Sequence, residues 1–225
     1  MSALSLSQLL TVDWLEIGRA GLDTLTMLGA SLLFTIAFGL PLGVVLYLTS
    51  PRQIWARPRL YAVLSFAVNI CRSLPFVILL IVLIPLTLKL VGTSIGVAGS
   101  IPPLVAGASP FFARLVENVL REVDKGVIEA SQSMGASLRQ VVLRVLLPEA
   151  LPGLIAAATV TCVTLVSYTA MSGVIGGGGL GDLAVRYGYQ RFQTEVMIVT
   201  VLLLLVLVQL IQTLGDRLVR QFQRH

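Results

Sequence analysis

Four stretches of this chain carry no ionisable side chain: between Asp23 and Arg52, between Lys89 and Arg114, between Glu149 and Asp182, and between Glu195 and Asp216. Such a run is either buried whole in a large core or crosses a bilayer, whose apolar layer of about 30 Å asks for roughly 20 apolar helical residues. Of the 225 residues, 56% are apolar and 12% charged, too few polar side chains to cover a water-soluble globule holding four such runs. A fifth apolar stretch, Leu60 to Leu88, is interrupted by Arg72. The expected fold is therefore all-α and polytopic, with about five transmembrane helices centred roughly on residues 24–49, 62–88, 96–115, 150–171 and 196–214.

An odd number of spans puts the termini on opposite sides. Arg52, Arg57, Arg59, Arg114, Arg121, Lys125, Arg139, Arg144, Arg217, Arg220 and Arg224 fall in one set of alternate connections, and Arg19, Lys89, Arg186 and Arg191 in the other. The positive-inside rule then places the N-terminus outside and the C-terminus in the cytoplasm. The net charge of +5 is thus a topology signal; its cations are dispersed among connections, so no nucleic-acid partner is expected. The chain reads as one transmembrane domain over 1–225, with an amphipathic lead-in at 1–23 near the outer interface. Asp13, Trp14, Glu16 and Arg19 mark that lead-in, which lacks the basic start and short apolar core of a cleaved signal peptide.

Catalytic chemistry is absent from the pattern. Histidine occurs once, at His225, and neither metal-ligand spacings nor a phosphate-binding G-x-x-x-x-G-K-[ST] loop are found. Cys71 and Cys162 stand alone in apolar stretches and read as small buried hydrophobes. No enzyme activity, metal or cofactor is expected on this chain. The run "VIGGGGLGD" at 174–182 has the dinucleotide spacing G-x-G-x-x-G, but follows an apolar helix where a strand would be needed. Gly176, Gly177, Gly178, Gly179 and Gly181 read instead as a side-chain-free turn within an outer connection at 173–195, allowing close approach or hinging.

The connection "REVDKGVIEASQSMGASLRQVVLRVLLPEALPG", from residue 121, is too long for a turn. Asp124 can cap a short helix, Gly135 can stop it in a left-handed conformation, and Ser137 with Gln140 forms a capping-box pattern for a second helix. Pro148 and Pro152 mark entry into the next span. A helix, a glycine corner and another helix would project from the cytoplasmic face, with Val141, Val142, Val145, Leu146 and Leu147 toward apolar neighbours and Arg139 and Arg144 snorkelling. Small residues at the corner, flanked by Glu129 and Lys125, suit docking against a partner.

Glu129, Ala130 and Ser131, then Gly135, then Val145, Leu147 and Pro148 resemble the E-A-A, three residues, G, nine residues, I-x-L-P signature of permease subunits of bacterial ATP-binding-cassette importers, with Ser131 and Val145 as mild departures. "CRSLPFVILL", "SPFFARLVENVLREVDKGVIEASQSMGA" and "YTAMSGVIGGGGLGDLAVRYGYQRFQTEVM" extend the likeness over most of residues 60 to 220 and are similar to methionine-importer permeases. That resemblance implies the type I importer permease fold and methionine import. It also implies a homodimer in the lipid bilayer, two cytoplasmic ATPase subunits carrying ATP and Mg, and a substrate-binding lipoprotein outside. It assigns coupling to the segment 121–149, through Glu129, Ala130, Ser131, Gly135, Ala136, Leu147 and Pro148.

In a pore along a dimer axis, small and polar side chains should face the path. Thr159, Thr161, Thr164, Ser167, Tyr168, Thr169, Met171 and Ser172 accumulate toward the outer end of the fourth span. Tyr168 and Met171 are the preferred pore or gate candidates, with Ser172, Asn69 and Arg72 beside them. Arg72 also suits the cytoplasmic boundary, and Arg114, Glu117 and Arg121 read as a surface ion-pair run. Two rivals remain: the same fold carrying another small amino acid or peptide, and a self-sufficient channel or ion-coupled carrier. The second would call for intramembrane carboxylates that the span centres lack.

Overall fold

Long apolar runs without breakers become long helices because lipid leaves backbone groups no partner but the helix itself. The computed structural model describes residues 13–222, and every regular element in that range is helical. His225, Arg224 and the first twelve residues of the expected lead-in lie outside the described residues. Helix α1 runs from Trp14 to Thr49, its first turn capped by Asp13, whose Oδ1 accepts from the amides of Leu15 and Glu16. Residues 14–23 are therefore the opening turns of the first span, continuous with it.

The expected second span is not one helix. Helix α2 (Pro58–Ser73) ends before Leu74, α3 (Phe76–Val82) begins after Pro75, and α4 (Ile84–Val91) follows with Pro85 in its first turn. Pro75 sits at φ −57°, ψ 132°, outside the helical region, and proline also biases the residue before it toward extended backbone. Two prolines thus divide a stretch that hydropathy alone joins. Helix α5 (Gly96–Glu122) is followed by α6 (Lys125–Ser133), α7 (Leu138–Val141), a π-helical turn at Val142–Leu146, α8 (Leu147–Glu149) and α9 (Leu151–Gly173). Then come α10 (Gly179–Leu183), a second π-helical turn at Ala184–Tyr189, and α11 (Thr194–Phe222). Among the described residues, α1, α5, α9 and α11 are long and apolar enough to cross a membrane, and α2 with α3 makes a fifth, broken candidate.

The described residues form two compact units: 13–33, Leu74–Gly107 and Cys162–Ile211 make one, and Phe34–Ser73, Ala108–Thr161 and 212–222 the other. Each of the four long helices supplies a portion to both. In the second unit, Tyr47, Phe112, Val116, Leu120, Val141 and Leu146 form one buried cluster. A Cβ at Gly39 would lie 2.9 Å from Phe112 Cδ1, and one at Gly43 2.6 Å from the Ala113 carbonyl oxygen, so α1 and α5 approach at small residues, as membrane helices do. In the first unit, Ile17, Ala20, Leu180, Leu183 and Val196 pack together. Cys162 is buried as expected, whereas Cys71 is only half-buried.

Candidate functional site

The elbow between α6 and α7, in the second unit, is built from three local devices. Asp124 caps α6 by accepting from the Gly126 amide at 2.8 Å. Gly135 stands at φ +81°, and the amides of Gly135 and Ala136 return to the carbonyls of Gln132 and Ser131 at 2.9 and 3.1 Å, a Schellman closure of the helix end. Ser137 then starts α7 with a complete capping box: its amide donates to Gln140 Oε1 at 2.8 Å while Ser137 Oγ accepts from the Gln140 amide at 3.4 Å. The chain reverses with its backbone groups satisfied, which makes the corner a defined shape.

The signature residues divide into two sets at this corner. Glu129, Ala130 and Gly135 are exposed, and nothing lies within 4 Å of where a Gly135 Cβ would be. Ser131 is buried and its hydroxyl donates to the Ile128 carbonyl at 2.7 Å, while Ala136 and Leu147 pack against the unit's core. Pro148 is exposed in the first turn of α8. One set presents a surface; the other holds the corner to the protein. Val141 and Leu146 are buried, and Val142 packs beside them, but through a π-helical turn where a regular helix was expected. Met134, 81% exposed beside Gly135, belongs to the presented face and was not singled out from the sequence. Its only sequence signal is its place just before the corner glycine.

In the same unit lies a tie the sequence reading placed on the surface. Glu117 is 1% exposed. It pairs with Arg114 at 2.5 Å and Arg121 at 2.7 Å, and accepts from the Tyr61 hydroxyl at 3.0 Å. Arg114 Nη2 donates onward to Ser65 Oγ at 2.8 Å and Asn69 Oδ1 at 2.9 Å. These partners come from α2, so the network joins α2 to α5, and a helix spacing of three and four residues described only half of it. Asn69 is thus engaged by Arg114, while Arg72 lies over the Phe111 ring, 5.9 Å from its centroid.

The glycine run, in the first unit, follows α9. Gly176, Gly178 and Gly179 have φ of +83°, +79° and +80°. A Cβ at Gly179 would lie 2.6 Å from Thr24 Oγ1 and 2.8 Å from Met27 Cε, one at Gly177 2.6 Å from Ser100 Oγ, and one at Gly181 would collide with the Ala170 backbone. The Leu180 amide donates to the buried Thr24 hydroxyl at 2.9 Å, and the Gly96 amide to the Gly176 carbonyl at 2.9 Å. A helix precedes the run and the five-residue α10 begins within it at Gly179, so a helix stands where a dinucleotide site has its strand. Of the residues expected near a path, Tyr168 stacks on Phe76 with centroids 4.2 Å apart and planes 3° from parallel, and Met171 is exposed. Ser172 is buried and donates to the Thr169 carbonyl at 2.8 Å. Thr159, Thr161 and Thr169 likewise bond back along α9.

Residues 39–225 match the family described as binding-protein-dependent transport system inner membrane component. A probable D-methionine transport system permease protein, MetI, of Vibrio cholerae is 48% identical over 219 residues, covering 97% of this chain and 94% of that protein. The methionine import system permease protein MetP of Bacillus subtilis is 47% identical over 205 residues, covering 91% and 92%. Among solved structures, a chain of the MetNI methionine ABC transporter in an inward-facing conformation is similar with a TM-score of 0.93 at 49% identity, covering 98% of this chain and 100% of that one.

Proposed function

This chain belongs to the family of binding-protein-dependent transport system inner membrane components, and from that premise we propose that it is the permease subunit of an ATP-driven methionine importer. It acts as a homodimer in the bacterial inner membrane, with its N-terminus outside and its C-terminus in the cytoplasm. Two copies of a separate ATPase dock on its elbows, and a substrate-binding lipoprotein delivers methionine from the other side. The reading is supported above all by the elbow, a fully capped reversal that leaves Glu129, Ala130 and Gly135 exposed at signature positions. A dimer suits a chain with one elbow, since each of two ATPases needs its own.

The chemistry of ATP, with its Mg, stays on the partner. This subunit supplies a path whose gates differ in stability between nucleotide states. Closure of the two ATPases moves the elbows, Ser131, Ala136 and Leu147 pass that movement into the unit's core, and the helices open the path outward; hydrolysis resets it inward. Met171, exposed on α9, and Tyr168, backed by Phe76, are the side chains proposed to line the path, and the glycine run 176–181 is the close-packed corner beside α9.

The test is reconstitution with the ATPase and binding protein, measuring ATP-dependent methionine uptake. Gly135→Trp places an indole where no atom of this chain stands within reach of a Cβ, so the fold should survive while ATPase docking and uptake are lost. Uptake at the wild-type rate in that variant, or methionine flux through the purified chain without any ATPase, overturns the proposal.

A further inference from the structure

Beside the elbow the second unit has a notch of about 260 Å³, lined by Arg52, Gln53 and Ile54 from the loop after α1 and by Lys125, Ile128, Glu129 and Gln132 from α6. We propose that this notch receives a carboxylate side chain of the ATPase subunit, held between Arg52 and Lys125; the inference rests on the docking of the elbow proposed above and supplies a second, charged contact for it.

The notch is shaped by the chain on both sides of Arg52. That residue stands at φ +66°, an uncommon backbone conformation for a side-chain-bearing residue. The turn is pinned from before and after: the Ser50 hydroxyl donates to the Tyr47 carbonyl at 2.8 Å, the Gln53 amide to Ser50 at 3.3 Å, and the Arg57 amide to Thr49 at 3.0 Å. Ile54 packs onto the core that also buries Ile128, so the loop and α6 share one apolar floor. Hydrogen bonds on both sides of Arg52 thus fix the path of this turn.

Charge identifies the occupant. Arg52 and Lys125 are exposed, and among the described residues neither lies within 4 Å of a carboxylate, the ion pairs being confined to Arg114, Arg121 and Arg186. Gln53 and Gln132 add amide donors to the same walls. Glu129 also lines the notch, and its charge disfavours a multiply charged phosphate more than a single carboxylate. A guanidinium matches a carboxylate in two parallel hydrogen bonds, with the lysine as a nearby point charge. Glu129 belongs at once to the notch and to the exposed face of the elbow, so a partner covering that face also closes the notch.

The experiment uses the chain co-purified with its ATPase, in nanodiscs of neutral lipid, reading ATPase affinity, its salt dependence and methionine uptake. The double variant Arg52→Glu, Lys125→Glu should bind the ATPase about ten-fold more weakly and lose much of the salt dependence, while Arg52→Lys, which keeps the charge but not the paired hydrogen bonds, keeps the salt dependence and falls between the two in affinity. Should the double variant not accumulate, Arg52→Gln gives the same comparison at smaller amplitude. Unchanged affinity in Arg52→Gln or the double variant overturns the inference. If Gly135→Trp abolishes binding in that case, the elbow reading survives and only the notch is wrong; if Gly135→Trp also binds normally, both fall. A defect that appears only when anionic lipid is added, with ATPase affinity intact, assigns the notch to lipid headgroups and equally overturns it.

Discussion

Gly135 and Gly179 hold the same kind of backbone, φ near +80°, in opposite surroundings. At Gly135 the surroundings are empty and only the left-handed conformation demands glycine. At Gly173, Gly177, Gly179 and Gly181 the surroundings are full, and a side chain would strike Asp182, Ser100, Thr24 or Ala170. One corner is open and exposed; the other is a packed joint inside its own unit. At the elbow, caps give definition, whereas the glycine run is defined by backbone pressed against its neighbours.

The comparison yields three mutational tests of folding, read as the thermal midpoint and monodispersity of the purified chain. Gly173→Val should have the largest effect, a loss of about 4 kcal/mol or more that prevents accumulation of folded protein, since the opposing atoms are the backbone of Gly181 and Asp182 and cannot yield. A well-folded Gly173→Val protein would end the packed-joint description. Glu117→Gln should cost about 3 kcal/mol, because Arg114 and Arg121 keep their charges in a half-buried site without the carboxylate that both contact. A loss comparable to an exposed ion pair would return Glu117 to a surface role. Gly135→Ala should cost least, about 1 kcal/mol from the left-handed backbone alone, and Gly179→Ala distinctly more because it adds a clash with Thr24 and Met27 to the same strain. Equal losses at the two positions would erase the difference between the corners.

Most of the elbow was legible in the sequence because its rules are local. Asp124, Gly135, Ser137 and Gln140 act on backbone groups two to five residues away, and each does what its type and spacing indicate. Four of the spans were legible for a similar reason, since absence of charge over a helix length needs no partner to be meaningful. The breaks within the second span were missed where averaged hydropathy passed over Pro75 and Pro85, a signal present in the residues but outvoted by their apolar neighbours. Burial of Glu117 had no local signal: Tyr61, Ser65 and Asn69, which make the site, lie more than forty positions away. Nor did either π-helical turn announce itself, as one inserted residue leaves composition and periodicity nearly unchanged.

By itself, then, the order of residues determined that this chain is helical, lives in lipid, and carries a capped corner between two short helices, because hydrophobic run length, helix capping and glycine's freedom at positive φ act over a few residues. Tertiary structure alone decided which polar groups meet: that Glu117 is enclosed, that Ser131 anchors while Glu129 is presented, and that Arg52 comes to stand beside Lys125. The first and last of these are meetings between residues distant along the chain, and where long helices are largely apolar all round, periodicity cannot say which face turns inward.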